Sequence, residues 1–174
     1  NELSILDGPI EFEVEQIRKN TLENPTKETH SEYYKEIAEF TSKVRIAENQ
    51  FEKANKTLIT MKNNLKYIKQ DREGITKEVY GLLETMENLK KQIGGSNARA
   101  EVGEKDFQTL NSRLYNARGG WRPNSYGPTE LHMDSFKMAK AMYDQTYPDV
   151  EKYINEVKSV KNTFTENGGP IIID

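Results

Sequence analysis

Eleven apolar or small side chains in the first half of the chain fall on an unbroken four-three rhythm: Tyr33, Ile37, Phe40, Val44, Ala47, Phe51, Ala54, Leu58, Met61, Leu65 and Ile68. Such a heptad seam leaves one stripe of a helix apolar, and that stripe must be covered by other helices. Asn24-Pro25-Thr26 is a helix start signal, with Pro in the first turn and Glu28 at the positive end of the helix dipole. Glu39 with Lys43 and Glu52 with Lys56 are i, i+4 pairs in the favourable order. The spacing predicts a helix running to about Gln70, which at 1.5 Å per residue is ~60 Å long. No globular core is that deep, so the predicted molecule is a rod.

A second seam follows in Ile75, Val79, Leu82, Met86, Leu89 and Ile93, stopped by Gly94-Gly95. The phase passes from Ile68 through Arg72 to Ile75 without a slip, so residues 68–79 read either as a turn at Asp71-Arg72-Glu73-Gly74 or as one continuous helix. The turn is preferred, because a hairpin covers the first seam within the same chain. Residues 94–103 are small and polar and read as a loop, and Phe107, Leu110 and Leu114 mark a short third helix. The stretch 117–128 is too rich in Gly and Pro to be regular. Thr129 and Glu130 after Pro128 open a last long helix, with an apolar face of Leu131, Phe136, Ala139, Tyr143, Val150, Ile154, Val157, Val160 and Phe164. Pro148 inside it is expected to kink it. Gly168-Gly169-Pro170 closes the helix, and the apolar tail Ile171 to Ile173 is expected to dock as an extended segment.

Composition agrees with this outline. Only 34% of the 174 residues are hydrophobic against 30% charged, and the mean hydropathy is −0.87. Helices that bury one stripe and leave the rest in water need no more. The fold class read from the sequence is all-α: an elongated up-and-down bundle of three to four helices with heptad-type packing and a short N-terminal β-strand. The strand rests on Ile10, Phe12 and Val14 alternating with Glu11, Glu13 and Glu15, after a Gly8-Pro9 turn. Alone it is marginal in water. Residues 1–22 therefore read as a strand segment that belongs to or docks on an upstream sheet, and residues 23–174 as the bundle. The chain opens inside this segment, which gives the expectation of a piece excised from a longer protein.

Chemistry is much less legible. A net charge of −3 with interspersed signs gives no footprint for nucleic acid. Cysteine is absent, which removes disulfides and thiolate metal sites. No window reaches 18 consecutive apolar residues, so no membrane span is expected, and no signal peptide is visible. His30 and His132 are the only histidines, and neither has a second ligand one helical turn away apart from Asp134 two positions after His132. Zinc helix motifs need two ligands on one face, so both histidines read as surface residues near helix starts. Carboxylates lie on outward faces, there is no Gly-x-Ser-x-Gly elbow, and Gly119-Gly120 is followed by Trp and Arg rather than Lys-Ser or Lys-Thr. No catalytic residue, metal or cofactor is assigned.

The most suggestive stretch is the loop between the third and fourth helices. It holds the only tryptophan, Trp121, with Arg113, Arg118, Arg122, Tyr115 and Tyr126 near it in sequence. Arginines beside aromatic faces suit a carbohydrate, an anion or a protein surface. The same pattern also fits a tryptophan that plugs the end of the bundle while arginines satisfy loop carbonyls. Arg113, Arg118, Trp121, Arg122 and Tyr126 stand as the candidate contact residues.

The order of these features resembles a known family. Gly8-Pro9 and Phe12-x-Val14 lead to Leu22 and a long helix hairpin. A short helix then runs into Gly119-Gly120-Trp121, Pro128-Thr129 opens the last helix, and a Gly-Gly-Pro tail closes the series. This is similar to the C-terminal helical region of bacterial β-propeller proteins with BNR-type repeats, often described as sortilin-like or glycosyl-hydrolase-like. The resemblance covers about residues 8 to 171. It implies an exported parent (periplasmic, outer-surface or secreted), with a β-sandwich-like segment just upstream and a propeller further upstream that carries any chemistry. The propeller's Ser-x-Asp-x-Gly-x-x-Trp signature is not present in this chain.

The expected role is a non-catalytic C-terminal module that packs on the upstream domains of its own parent chain or engages another protein. Two alternatives stay open: a coiled-coil homodimerisation element, and a helical carbohydrate- or anion-binding module around Trp121.

Overall fold

A computed structural model describes residue 8 and residues 11–15, 27–104, 108–119 and 127–172; for 27–30, 97 and 100 it describes the helical backbone only. The long seam forms α1, Lys27–Asn64. A 3-10 turn, Leu65–Tyr67, leads into α2, Arg72–Gly94. The five-residue α3, Asn97–Glu101, precedes α4, Leu110–Gly119, and α5 spans Glu130–Glu166. The helices pack together, and no strand occurs among the described residues.

Every residue of the first seam is buried or half-buried, and all six of the second seam are buried. The partner that covers them is set by register. Glu36 meets Lys140 at a sequence separation of 104, and Asn55 meets Tyr153 at 98. At the far end the Lys69 amide donates to the Asn167 carbonyl at 2.9 Å. A nearly constant offset means that α1 and α5 run parallel, side by side, along their whole length.

The third position of the bundle is shared. The hairpin folds α2 back along the second half of α1, until Ile93 and Gly94 stand beside Glu48 and Phe51. There α4 takes over: Asn111 Nδ2 donates to Glu48 Oε1 at 3.0 Å, and further along Tyr33 Oη donates to the Ala117 carbonyl at 2.7 Å. Helices of 23 and 10 residues rise ~35 and ~15 Å, against ~57 Å for α1. Two short helices end to end thus do the work of one long one. The bundle is up-down-up, with its descending member interrupted between Gly94 and Leu110.

The breaks follow from local chemistry. Asp71 adopts φ 47°, a left-handed conformation that reverses the chain before α2. This settles the turn in favour of the hairpin, although α1 ends at Asn64 rather than near Gln70. Leu65 and Ile68 stay buried outside the α-helix, which is why the heptad phase runs through the turn unbroken. Residues 94–103 are not loop alone, since α3 lies within them. The helix α5 continues across Pro148. Its end is a glycine cap with two bonds: the Gly168 amide donates to the Thr165 carbonyl at 3.1 Å and the Gly169 amide to Phe164 at 2.9 Å, with Gly168 at φ 92°. In the tail, Ile172 packs on the core and Ile171 is exposed.

The buried face of α5 needs correction, and the N-terminal strand is not shown. Leu131 is 69% exposed and does not belong to the buried face of α5; Tyr147 and Tyr153, at 3% and 1%, do. Their spacing keeps the three-four rhythm with Tyr143, Val150 and Val157. Residues 11–15 carry no regular secondary structure, with Phe12 and Val14 exposed to 83% and 77%, so no N-terminal strand is seen among them. The rest of the strand expectation, the Asn24-Pro25-Thr26 start and Phe107 lie outside the described residues.

Candidate functional site

The helix that carries two of the candidate arginines is fixed by its cap and its buried stripe. The Thr109 amide donates to Ser112 Oγ at 2.8 Å and the Ser112 amide to Thr109 Oγ1 at 3.2 Å, a reciprocal cap at the start of α4. Leu110, Leu114 and Ala117 are buried. On this frame Arg113 is half-buried and Arg118 exposed. Five positions at ~100° each put them ~140° apart around the helix, so they do not share one face. Tyr115, 71% exposed, stands three residues before Arg118 and on its flank. Trp121, Arg122 and Tyr126 lie outside the described residues.

His132 lies near the start of α5, as read from the sequence, and has a structural task there. Its Nδ1 accepts the Thr129 amide at 3.0 Å, while the Thr129 side chain accepts the His132 amide, closing the box that starts α5. The sequence signal was the Thr-x-x-His spacing, in which an imidazole nitrogen replaces the usual carboxylate.

Among the described residues, the titratable groups displaced from their ordinary range are Tyr33, Tyr34, Tyr143, Tyr147 and Tyr153. Burial, with a smaller contribution from the neighbouring Tyr34, pushes the Tyr33 phenol up to about 12. Burial raises Tyr147 and Tyr153 as well, with Glu48 and then Tyr143 adding to the first and Glu52 to the second. These rings form a ladder between α1 and α5. Tyr33, Phe136, Phe40 and Tyr143 meet edge to face at centroid distances of 5.8, 5.6 and 5.4 Å, and Tyr143 stacks on Tyr147 at 3.9 Å. Edge-to-face pairs add about 0.5–1.5 kcal/mol beyond their buried area. Lys140 and Lys43 cover Phe136 and Tyr143 at 4.4 and 4.6 Å. Within this core the Tyr153 hydroxyl donates to Asn55 Oδ1, whereas Asn55 Nδ2, Tyr147 Oη and Ser135 Oγ have no partner.

Concavities occur between the helices. A groove of about 570 Å³ lies between α1 and α5, with smaller ones of about 310 Å³ between α1 and α2 and about 260 Å³ between α2 and α5. A cleft of about 590 Å³ opens beside the α2–α4 junction, with Lys91 and Arg99 in its wall. Among the described residues no three His, Cys, Asp or Glu side chains gather to hold a metal ion, and no helix is long and apolar enough to cross a membrane.

No family model, curated protein or solved structure matches the chain.

Proposed function

We propose that this chain is a non-catalytic helical module of a larger exported protein, positioned behind a β-propeller as its resemblance implies. Its role is to pack on the upstream domains or to engage a protein partner. The observation that carries the reading is the disposition of the core. Two parallel helices are zipped by aromatic rings, and a buried tyrosine–asparagine bond holds their register. Such a rod is a rigid positioning element. Residues 1–22 serve in this reading as the strand that joins it to an upstream sheet, which agrees with Phe12 and Val14 standing uncovered.

The homodimer alternative is less well supported, because the first seam is buried against helices of the same chain. In the ligand-module reading around Trp121, Arg113 and Arg118 contribute from different faces of α4.

The test compares the upstream domains of the parent with and without this module attached. Attachment is expected to raise their melting temperature by several degrees, and an unchanged value overturns the packing role. Light scattering on the 174-residue chain is expected to give a monomer, and a stable dimer would favour the assembly element. Hydrolysis of any glycoside by the chain alone would overturn the non-catalytic assignment.

A further inference from the structure

The three grooves between long helices differ in charge. The α1–α2 groove carries Glu48 and Glu52 against Lys90. The α2–α5 groove carries Asp149 and Glu156 against Lys152, and Lys152 reaches Glu156 at 3.9 Å. Both hold charges of opposite sign. The α1–α5 groove is the largest of the three and has a single sign: Lys53, Lys158 and Lys161 line it, with no carboxylate among its described lining residues. Glu151, three residues before Ile154, is not one of them. Neither Lys53 nor Lys158 forms an ion pair with a described residue.

The buried lining of the groove is apolar apart from Thr57. Ala54 and Val157 form its apolar part with the half-buried Ile154. On α1 the row continues upward through Gln50 to Ile46, which is 59% exposed. The small side chain of Ala54 lets a third backbone come close, as helix–helix packing at 8–10 Å requires. Gln50 to Thr57 and Ile154 to Asn162 each cover about two turns, ~11–12 Å. An apolar strip of that length, flanked by cations on an otherwise acidic chain, is complementary to an apolar ridge flanked by carboxylates.

We infer that the α1–α5 groove docks an acidic amphipathic helix of a separate protein, which lays its apolar ridge over Ala54, Ile154 and Val157 and sets carboxylates against Lys53 and Lys158. This rests on the reading of the chain as a module that engages a protein partner, and names the surface and its chemistry.

The experiment uses the whole chain and a dye-labelled synthetic three-heptad helix, with Leu along one ridge and Glu on both flanks, followed by fluorescence anisotropy. Saturable binding is expected, weakening as salt rises because the pairs lie near the surface. The exposed double substitution K53E/K158E is expected to lower affinity at least tenfold, with K53Q/K158Q intermediate and the circular dichroism unchanged. A companion peptide with Lys on both flanks is expected to bind wild type at least tenfold more weakly, and to bind K53E/K158E better than wild type. No binding of the acidic helix, equal binding of the two peptides, or affinity indifferent to K53E/K158E overturns the proposal. The module reading fails separately: upstream domains unaffected by attachment remove that reading and leave the groove standing. Their unchanged stabilisation by K53E/K158E leaves the module standing while the peptide result decides the groove.

Discussion

The Tyr153 hydroxyl donates to Asn55 Oδ1 at 2.9 Å, and both residues are 1% exposed. The two side chains bond each other across α1 and α5, and Asn55 Nδ2 is left without a hydrogen-bond partner. Tyr153→Phe therefore isolates a buried amide and is expected to cost about 1–3 kcal/mol. Asn55→Ala alone strands the phenol instead. The double variant is expected to lose at least about 0.5 kcal/mol less than the sum of the singles. Urea unfolding of the four proteins measures this, and strict additivity would show that the bond contributes nothing.

Alkali is expected to unfold this protein. The Tyr33 phenol sits at about 12 in the folded chain against an ordinary 10.0, and Tyr147 and Tyr153 are displaced in the same direction. Below pH 10 the phenols are neutral whether the chain is folded or not, and the full stability is present. Between about pH 10 and 12 the unfolded chain releases these protons while the folded one keeps them, so stability falls as pH rises. Ionisation followed at 295 nm should coincide with loss of helix by circular dichroism. Tyr33→Phe should flatten the decline, besides costing about 1 kcal/mol for its bond to Ala117.

Glycines at two places should respond with opposite signs. A Cβ on Gly169 would run into the Phe164 ring and carbonyl, and Gly168 combines φ 92° with the Lys69 stem at 3.1 Å. Gly169→Ala is expected to cost about 2 kcal/mol or more, because the tail must leave the cap. Gly81 lies inside α2 with nothing within 4 Å of an added Cβ. Gly81→Ala is expected to stabilise by about 0.5–1 kcal/mol through helix propensity. Thermal melts decide both.

Pro148 interrupts the hydrogen-bond ladder of α5 at an exposed position. Pro148→Ala restores a donor for the Asp144 carbonyl and is expected to raise stability by up to about 3 kcal/mol. A loss of stability would mean that the surrounding packing depends on the altered helix geometry.

The seams were legible because heptad spacing is a direct record of burial. Ile37, Leu58, Val79 and Met86 sit where the rhythm places them. Tyr147 and Tyr153 were missed although Tyr33 and Tyr143 were counted, because the pattern was read straight from Tyr143 to Val150 across Pro148 and placed Ile154 on the buried face in place of its neighbour Tyr153. Nor does a seam state which helix covers it. That α5 lies parallel to α1 and that α4 continues α2 follow from contacts far apart in sequence, such as Asn111 with Glu48. The candidate arginines illustrate the same gap: proximity in sequence brought Arg113 and Arg118 together, and the turn of α4 separates them. The lysine groove was invisible for a related reason, because Lys53 and Lys158 are brought together by helix register alone.

Parallel alignment of α1 and α5 fixes how the polypeptide travels. It comes into the bundle at Lys27 on one pole and departs after Glu166 at the opposite pole, a helix length away. A pair of probes attached at these two points would be held at a set span, as by a strut. Lengthening the peptide between Gly94 and Leu110 would leave that span unchanged, since neither full-length helix passes through the interruption.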